Sequence, residues 1–544
     1  MIDDALFLKV AAQILRDPLR PFSVNVNWYG WDEPLWAVFK NPPGLSYWLA
    51  GVTAMVGPIE IAWHLSLLPF AIAAVLAMYR LGQRFTESPG WTTAMLVASP
   101  AFLISASTLM ADVPALALTS WGLVLWIDGG DGDSRRSRWA GALLSGLAVM
   151  VKYTAAVSVL TLPLYTVLCT SRTRRRAEVI DLWPAVIPPL AWALLTLSTT
   201  GRIHLIDALL VRGGGFDPNP GWFGHRVIAL LTFIAGAGVF PLLSAGSLVK
   251  SGVGRVLAIV AGGFGVIAAI VTPTIWSPRG LLPGATSLVG VLAAIGTGAV
   301  LMTCSAAFTA ARRNDRDGAF LVGSIALHSA FLLLWSWTIA ARFVLPMLVP
   351  LALLFGRVLP GEQVSGVRPM FLRRLLGGGS VTVRLAGVTL MALVLSIVLL
   401  RADRVAGDFH RRVVAGIGAQ ARREHRPVLF TGAWGFSYYA EQAGMQRLDC
   451  QPRGAGDSRC VRAPELPPRA LVLRPYFVAN NQLPPDIERR LSEIANIPSP
   501  APLLALHTMN LNAGAGFYSS SYGPLPFMRA YLPADGVIVW TLRD

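Results

Sequence analysis

The chain has 544 residues, of which 54% are hydrophobic and only 14% charged, and its mean hydropathy is +0.55. A soluble globular fold of this composition would leave far too much apolar surface against water, so the chain reads as a polytopic membrane protein. Its net charge of +16 does not call for a nucleic-acid partner, because the basic residues fall largely in short loops and are not gathered on one soluble face.

The first element is short and amphipathic. Ile2-Asp3-Asp4-Ala5 opens it, Leu6, Val10 and Ile14 recur at helical spacing, and Pro18 ends it. Such a helix is expected to lie along a membrane surface. Asp3 and Asp4 then fall at the N-cap and first turn, where free backbone N–H groups and the positive end of the helix dipole favour carboxylates. They read either as caps or as chemical groups. The rest of residues 1–58 is rich in Trp, Pro and Asn, with Trp28, Trp31, Trp36, Asn41-Pro42-Pro43-Gly44 and Trp48. Most of these tryptophans are expected to form a membrane-anchoring belt.

About a dozen apolar segments follow, near 60–81, 91–109, 113–127, 139–152, 154–170, 182–200, 226–249, 256–273, 286–309, 319–339, 343–357 and 385–400. Counting them places Arg135, Arg136 and Arg138, the Arg172 to Arg176 group, Lys250 with Arg255, Arg312 to Arg316 and Arg368 to Arg384 all on one side. The positive-inside rule makes that side the cytoplasm. Residues 1–58, the loops near 110, 201–225 and 274–285, Arg342 and everything after 401 then face outward. An outward amino end needs delivery, so a spanning helix upstream of Met1 is expected.

From 401 the composition becomes that of a soluble domain. Strands are expected at Val428 to Gly432, Ala470 to Arg474, Leu503 to Leu511 and Gly536 to Leu542, with helices at Tyr438 to Ala443 and near Asp486 to Ile494. Gly432-Ala433-Trp434-Gly435 matches no phosphate-binding fingerprint, so no nucleotide is assigned. Cys169 and Cys304 lie in apolar segments as packing residues. Cys450 and Cys460 could close a disulfide in an oxidising compartment.

Several polar residues interrupt this pattern on the outer side. Asp112, in Met110-Ala111-Asp112-Val113-Pro114, reads as the cap of the helix that Pro114 starts or as a site carboxylate, and the two are compatible. Lys152 ends one apolar run and precedes the next, which fits snorkelling or a site. Arg342 could hold a phosphate with its fork or serve as an anchor. Lys40 adds a further outward cation. His64 and His328 lack metal-ligand spacing and read as packing residues, so no metal and no cofactor are assigned. Outward carboxylates beside outward cations suit transfer of a group from a phosphate ester to a hydroxyl or amine. Nucleotide-activated donors are cytoplasmic, so an outward site draws on a donor carried across in lipid form, such as a polyprenyl-phosphate sugar.

Taken in order, Asp3-Asp4, Asn41-Pro42-Pro43-Gly44-Leu45-Ser46-Tyr47-Trp48, Ser99-Pro100, Met110-Ala111-Asp112-Val113-Pro114, Gly146-Leu147-Ala148-Val149-Met150-Val151-Lys152-Tyr153 and Arg342-Phe343-Val344-Leu345-Pro346 resemble the GT-C glycosyltransferases. The named branches most similar are protein O-mannosyltransferases and bacterial lipid A aminoarabinose transferases, over roughly residues 1–357. The resemblance implies a mainly α, polytopic GT-C fold, divided into an outer first loop with interfacial helices (1–58), about twelve membrane helices (59–400) and a small extracytoplasmic α/β domain (401–544). It implies inverting transfer from a polyprenyl-phosphate sugar to an envelope lipid, glycan or protein, in the bacterial inner membrane. Asp3 inherits the role of base or acceptor-positioning group, Asp4 supports it, and Asp112 is the second acidic position. Phosphate contact falls to Arg342 and Lys152. Many bacterial members read Lys-Pro-Pro where this chain has Asn41-Pro42-Pro43, so a phosphate-binding lysine is either missing or displaced to Lys40. A lipid or solute transporter and a non-catalytic envelope scaffold are the alternatives from other classes; no transporter-like repeat of two halves is seen.

Overall fold

The computed structural model describes residues 4–28, 31–210, 222–244, 252–276, 283–358, 381–448, 451–452, 460–462, 466–478, 481–483, 485–510, 513–531 and 535–543. It is mainly helical, with a strand-containing C-terminal region. Among the described residues, seven helical stretches are long and apolar enough to cross a membrane, from Glu60–Phe85 to Val383–Arg423, and three shorter apolar helices accompany them. The chain is therefore a multi-pass membrane protein of the expected class. Some apolar runs fold as broken helices: 91–109 divides into Pro89–Val97 and Pro100–Ala106, because Pro100 lacks an N–H and Ser99 caps the second piece through Phe102 N. The last spanning helix does not end with its apolar run at 400 but continues unbroken from Val381 to Arg423.

The amino-terminal helix, Asp4–Arg16, corrects the expectation that its apolar stripe meets lipid. Leu6, Val10 and Ile14 are buried within the protein, against helix Gly44–Val56 and beside Phe22 and Phe39. Trp28 and Trp36 are likewise buried, so the tryptophan belt is largely an internal packing cluster; Trp48 is the exposed one, at 43%. Large rings gain more from burial in a protein core than from a place among headgroups when such a core is within reach.

In the C-terminal region a five-stranded sheet runs in the order Gln446–Arg447, Val428–Phe430, Leu471–Pro475, Gly536–Leu542, Leu491–Pro498. The first two pairings are parallel and the last two antiparallel. Alternation places Phe430 and Leu473 in one apolar cluster and Leu429 and Val472 in another, so both faces are covered. Two expectations fail here. The helix near Asp486 to Ile494 stops at Glu488, and Leu491–Pro498 is a strand paired to Gly536–Leu542. The strand expected over Leu503 to Leu511 is a short 3-10 turn, Leu503–Ala505, followed by the two-residue strands Leu506–His507 and Met509–Asn510. Cys450, and with it the Cys450–Cys460 bridge, lies outside the described residues.

This region is joined to the helices at two places. On one side Lys9 pairs with Glu441 at 2.9 Å and Arg447 donates to Trp28 O at 3.1 Å. On the other, the segment around Phe517 reaches between the helices: Ala341 N donates to Phe517 O at 2.9 Å, Ser520 N to Ile339 O at 2.7 Å, and Trp276 Nε1 to Ser520 O at 2.7 Å. The first two of those bonds satisfy backbone groups just before and at the start of helix Ala341–Val358, the helix that carries Arg342.

Candidate active site

Helices Asp112–Asp131 and Arg135–Val151 form an antiparallel hairpin, which brings the start of the first beside the end of the second. Asp112 occupies the first turn, and Lys152 follows the last turn in an extended conformation. Their side chains form an ion pair, with residues 5% and 8% exposed. Lys152 is thus a buried partner and does not snorkel. Asp112 keeps the favourable position near a helix N-terminus while engaging the lysine.

Why Lys152 turns there is explained by Gly44. A Cβ on Gly44 would collide with the backbone of Met150, its carbon only 2.8 Å away. The glycine that ends Asn41-Pro42-Pro43-Gly44 therefore lets helix Gly44–Val56 press against the last turn before Lys152, an approach that any side chain would block.

Arg342, 7% exposed, enters the same cleft from helix Ala341–Val358. Its Nη1 lies 3.6 Å from Met110 Sδ. The Lys152 ammonium sits 4.3 Å and the Arg342 guanidinium carbon 5.1 Å from the centre of one ring, Phe343. Two cations from distant helices are thereby gathered on one aromatic group. His328 lines the cleft with its Nδ1 2.8 Å from Ser324 O and Nε2 3.0 Å from Ser158 Oγ. A carbonyl only accepts, so Nδ1 carries the proton and Ser158 donates to Nε2. His328 is a packed, hydrogen-bonded residue, as expected, and it also forms part of the cleft wall.

Asp4 starts the amino-terminal helix, buried at 7% exposure. It shares a neighbour with Arg342: the charges of both act on the hydroxyl of Tyr518. Burial pushes that phenol well above its ordinary range, the adjacent Asp403 and Asp4 push the same way, and Arg342 opposes them. Tyr518 is consequently a neutral O–H donor, and it donates to Asp403. Asp3 lies outside the described residues.

Lys40 stands elsewhere. Its Nζ donates to Trp36 O at 3.1 Å, and it does not line the cleft that Asp112, Lys152 and Arg342 share. Burial lowers its proton affinity, Asp207 partly restores it and Arg202 lowers it further. Its surroundings form a second polar network. Trp192 Nε1 donates to Tyr153 Oη at 2.9 Å, Tyr153 Oη lies 2.8 Å from His204 Nδ1, and His204 Nε2 lies 3.0 Å from Phe39 O. Sequence reasoning missed this network and also missed Asp403 and Tyr518. The one available signal was a carboxylate directly after the apolar run 385–400. Among the described residues, no group of three or more His, Cys, Asp or Glu could hold a metal ion.

No family model matches the chain, and no curated protein matches it. Among solved structures it is similar to two crystal structures of ArnT from Cupriavidus metallidurans, one in the apo state and one bound to undecaprenyl phosphate. Each is 15% identical with a TM-score of 0.39; the matches cover 84% of this chain and 81% and 82% of theirs.

Proposed function

We propose that the protein is an integral-membrane glycosyltransferase that moves a sugar from a polyprenyl-phosphate donor to an envelope lipid, glycan or protein at the extracytoplasmic face. The observation that carries this reading is the convergence of Lys152 and Arg342 on Phe343, in a cleft between membrane helices with Asp112 at its edge. Two cations held in apolar surroundings suit a phosphate, and the guanidinium fork suits two of its oxygens at once.

In this reading the acceptor's oxygen or nitrogen attacks the anomeric carbon from the face opposite the phosphate. The bond from that carbon to the phosphate oxygen breaks, and its electron pair leaves with the phosphate. Arg342 and Lys152 offset the charge that grows there. Asp112, paired to Lys152, holds the ammonium in place. The proton released by the acceptor passes to a carboxylate near the amino end of the chain, Asp3 or Asp4.

The test is transfer of label from an undecaprenyl-phosphate-linked sugar into lipid, glycan or protein in membranes carrying the full chain. Label should move with the wild type and stop with Asp3→Asn or Arg342→Ala at unchanged protein level. Release of no label to any acceptor, with undecaprenyl-phosphate-linked hexoses and pentoses all supplied, overturns the reading.

A further inference from the structure

The hairpin that carries Asp112 and Lys152 at one end has its turn at the other, and helices of 20 and 17 residues put the two ends about 25–30 Å apart. Helix Arg172–Ile180 is held against that turn. Arg174 Nη2 donates to Gly130 O at 2.6 Å and to Asp133 at 2.9 Å, while Asp181 accepts from Arg135 Nε at 2.7 Å, Arg138 Nε at 2.9 Å and Trp139 Nε1 at 3.0 Å. Asp181 and Glu178 are enclosed, and Glu178 accepts from Thr170 Oγ1 at 2.8 Å. The arginines divide accordingly. Arg135, Arg138 and Arg174 have carboxylate partners, whereas Arg136, Arg172 and Arg176 are exposed and have neither an ion pair nor a hydrogen bond among the described residues.

Arg172, Arg176 and Ile180 recur every four residues, which puts them on one face of their helix. Ile180 is 56% exposed, and exposed side chains go on through Trp183, Leu190 and Leu194, within a stretch, Arg172–Thr200, that is long and apolar enough to cross a membrane. Trp183 meets Trp139 edge to face at 5.7 Å, and indoles favour the level where a bilayer's apolar core gives way to headgroups. An exposed apolar row that ends in unpaired guanidinium groups matches the layout of a phospholipid, with tails along the row and phosphate at its end. We propose that Arg172 and Arg176, with Arg136 of the adjoining turn adding to the charge, bind the headgroup of an anionic phospholipid whose acyl chains lie along this row. A guanidinium fork takes two phosphate oxygens at once. A zwitterionic headgroup fits less well: its ammonium would meet uncompensated arginines, while Asp133, Glu178 and Asp181 are already engaged. The site lies at the opposite end of the hairpin from the cleft, so it goes beyond the sugar-transfer reading and does not depend on it.

The experiment places the full chain in nanodiscs of phosphatidylcholine alone and of phosphatidylcholine with about one third phosphatidylglycerol, and reads the thermal midpoint in each. The wild type should melt higher with phosphatidylglycerol present. Arg172→Gln/Arg176→Gln should lose about half of that gain or more while matching the wild type in phosphatidylcholine. Arg412→Gln/Arg423→Gln, which removes two exposed arginines from helix Val381–Arg423, should keep the gain and so separates a site from a uniform effect of net charge. Native mass spectrometry should show phosphatidylglycerol retained by the wild type and this control but not by Arg172→Gln/Arg176→Gln. No gain in the wild type, a gain that survives in Arg172→Gln/Arg176→Gln, or an equal loss in the control overturns the proposal. So does inorganic phosphate that raises the midpoint in phosphatidylcholine as much as the lipid does, or a dimer mass that the arginine variant reduces to a monomer. None of these readouts needs turnover, so a chain that transfers no sugar retires the function proposed above and leaves this site to be decided by itself.

Discussion

Asp112 and Lys152 come from opposite ends of a helical hairpin and meet as an ion pair shielded from solvent on both sides. Such a pair contributes little net stability, because desolvating two charges offsets most of their attraction, yet breaking it strands the survivor. Lys152→Ala should therefore destabilise the protein by about 3–5 kcal/mol, and Asp112→Asn/Lys152→Met together by much less. Both variants should fail to transfer sugar. Chemical unfolding in detergent micelles checks the first statement; equal losses in the single and double variants would show that the pair is not isolated in the manner described.

Gly44 has a different kind of effect on the same lysine. Adding one methyl there forces helix Gly44–Val56 away from the Met150 backbone, and the cheapest response is to shift the turn that carries Lys152. Gly44→Ala should cost about 1–3 kcal/mol. It should also weaken donor saturation, a consequence not shared by Gly51→Ala on the same helix, where a Cβ meets nothing within 4 Å. Comparing the two alanines by thermal midpoint and donor titration separates loss of helix contact from a general effect of replacing glycine.

How much of this was legible depended on sequence distance. Asp112, Lys152 and Arg342 stood out because each interrupts an apolar run, and a charge in such a run needs a reason. Lys40 stood out as an outward cation in the tryptophan-rich loop but packs beside Trp36, since nothing in its local sequence reveals which of two nearby polar networks it joins. Asp403 and Tyr518 are 115 positions apart, and no local pattern pairs them. A helix is expected near Asp486 to Ile494, and Ile487, Leu491 and Ile494 do fall at helical spacing there. In the structure Ile487 and Leu491 are buried, whereas Ile494 is 52% exposed, because edge pairing with Gly536–Leu542 overrides the local period.

Arg342 offers the sharpest test of the phosphate assignment. Lysine at this position keeps the charge but loses the planar fork, so Arg342→Lys should retain folding yet raise the half-saturating donor concentration about tenfold. Arg342→Ala should cost about a hundredfold or more in maximal rate. Binding of undecaprenyl phosphate alone, followed by thermal shift, should weaken in the same order. If the Arg342→Lys variant binds the lipid as tightly as the wild type does, a point charge suffices and the fork is irrelevant.

The network around His204 predicts a pH dependence of stability whose sign follows from its hydrogen bonds. Phe39 O only accepts, so His204 Nε2 carries the proton and Nδ1 accepts from Tyr153, which in turn accepts from Trp192. Protonating Nδ1 would set two donors against each other. Burial, with Lys40 nearby, lowers the imidazole from its ordinary 6.5 to about 4, against a weaker opposing pull from the Phe39 carbonyl and Asp207. Between those values the unfolded chain binds a proton that the folded chain refuses, so stability falls as pH drops from 6.5 towards 4 and levels off below that. The slope attributable to this residue is about 1.4 kcal/mol per pH unit. His204→Gln, which keeps a donor and an acceptor but does not titrate, should flatten that part of the profile while leaving stability at about pH 8 within about 1 kcal/mol. Thermal midpoints taken across the window decide it: an unchanged slope in the glutamine variant would place the titrating group elsewhere, with His507, also lowered by burial, the next to replace.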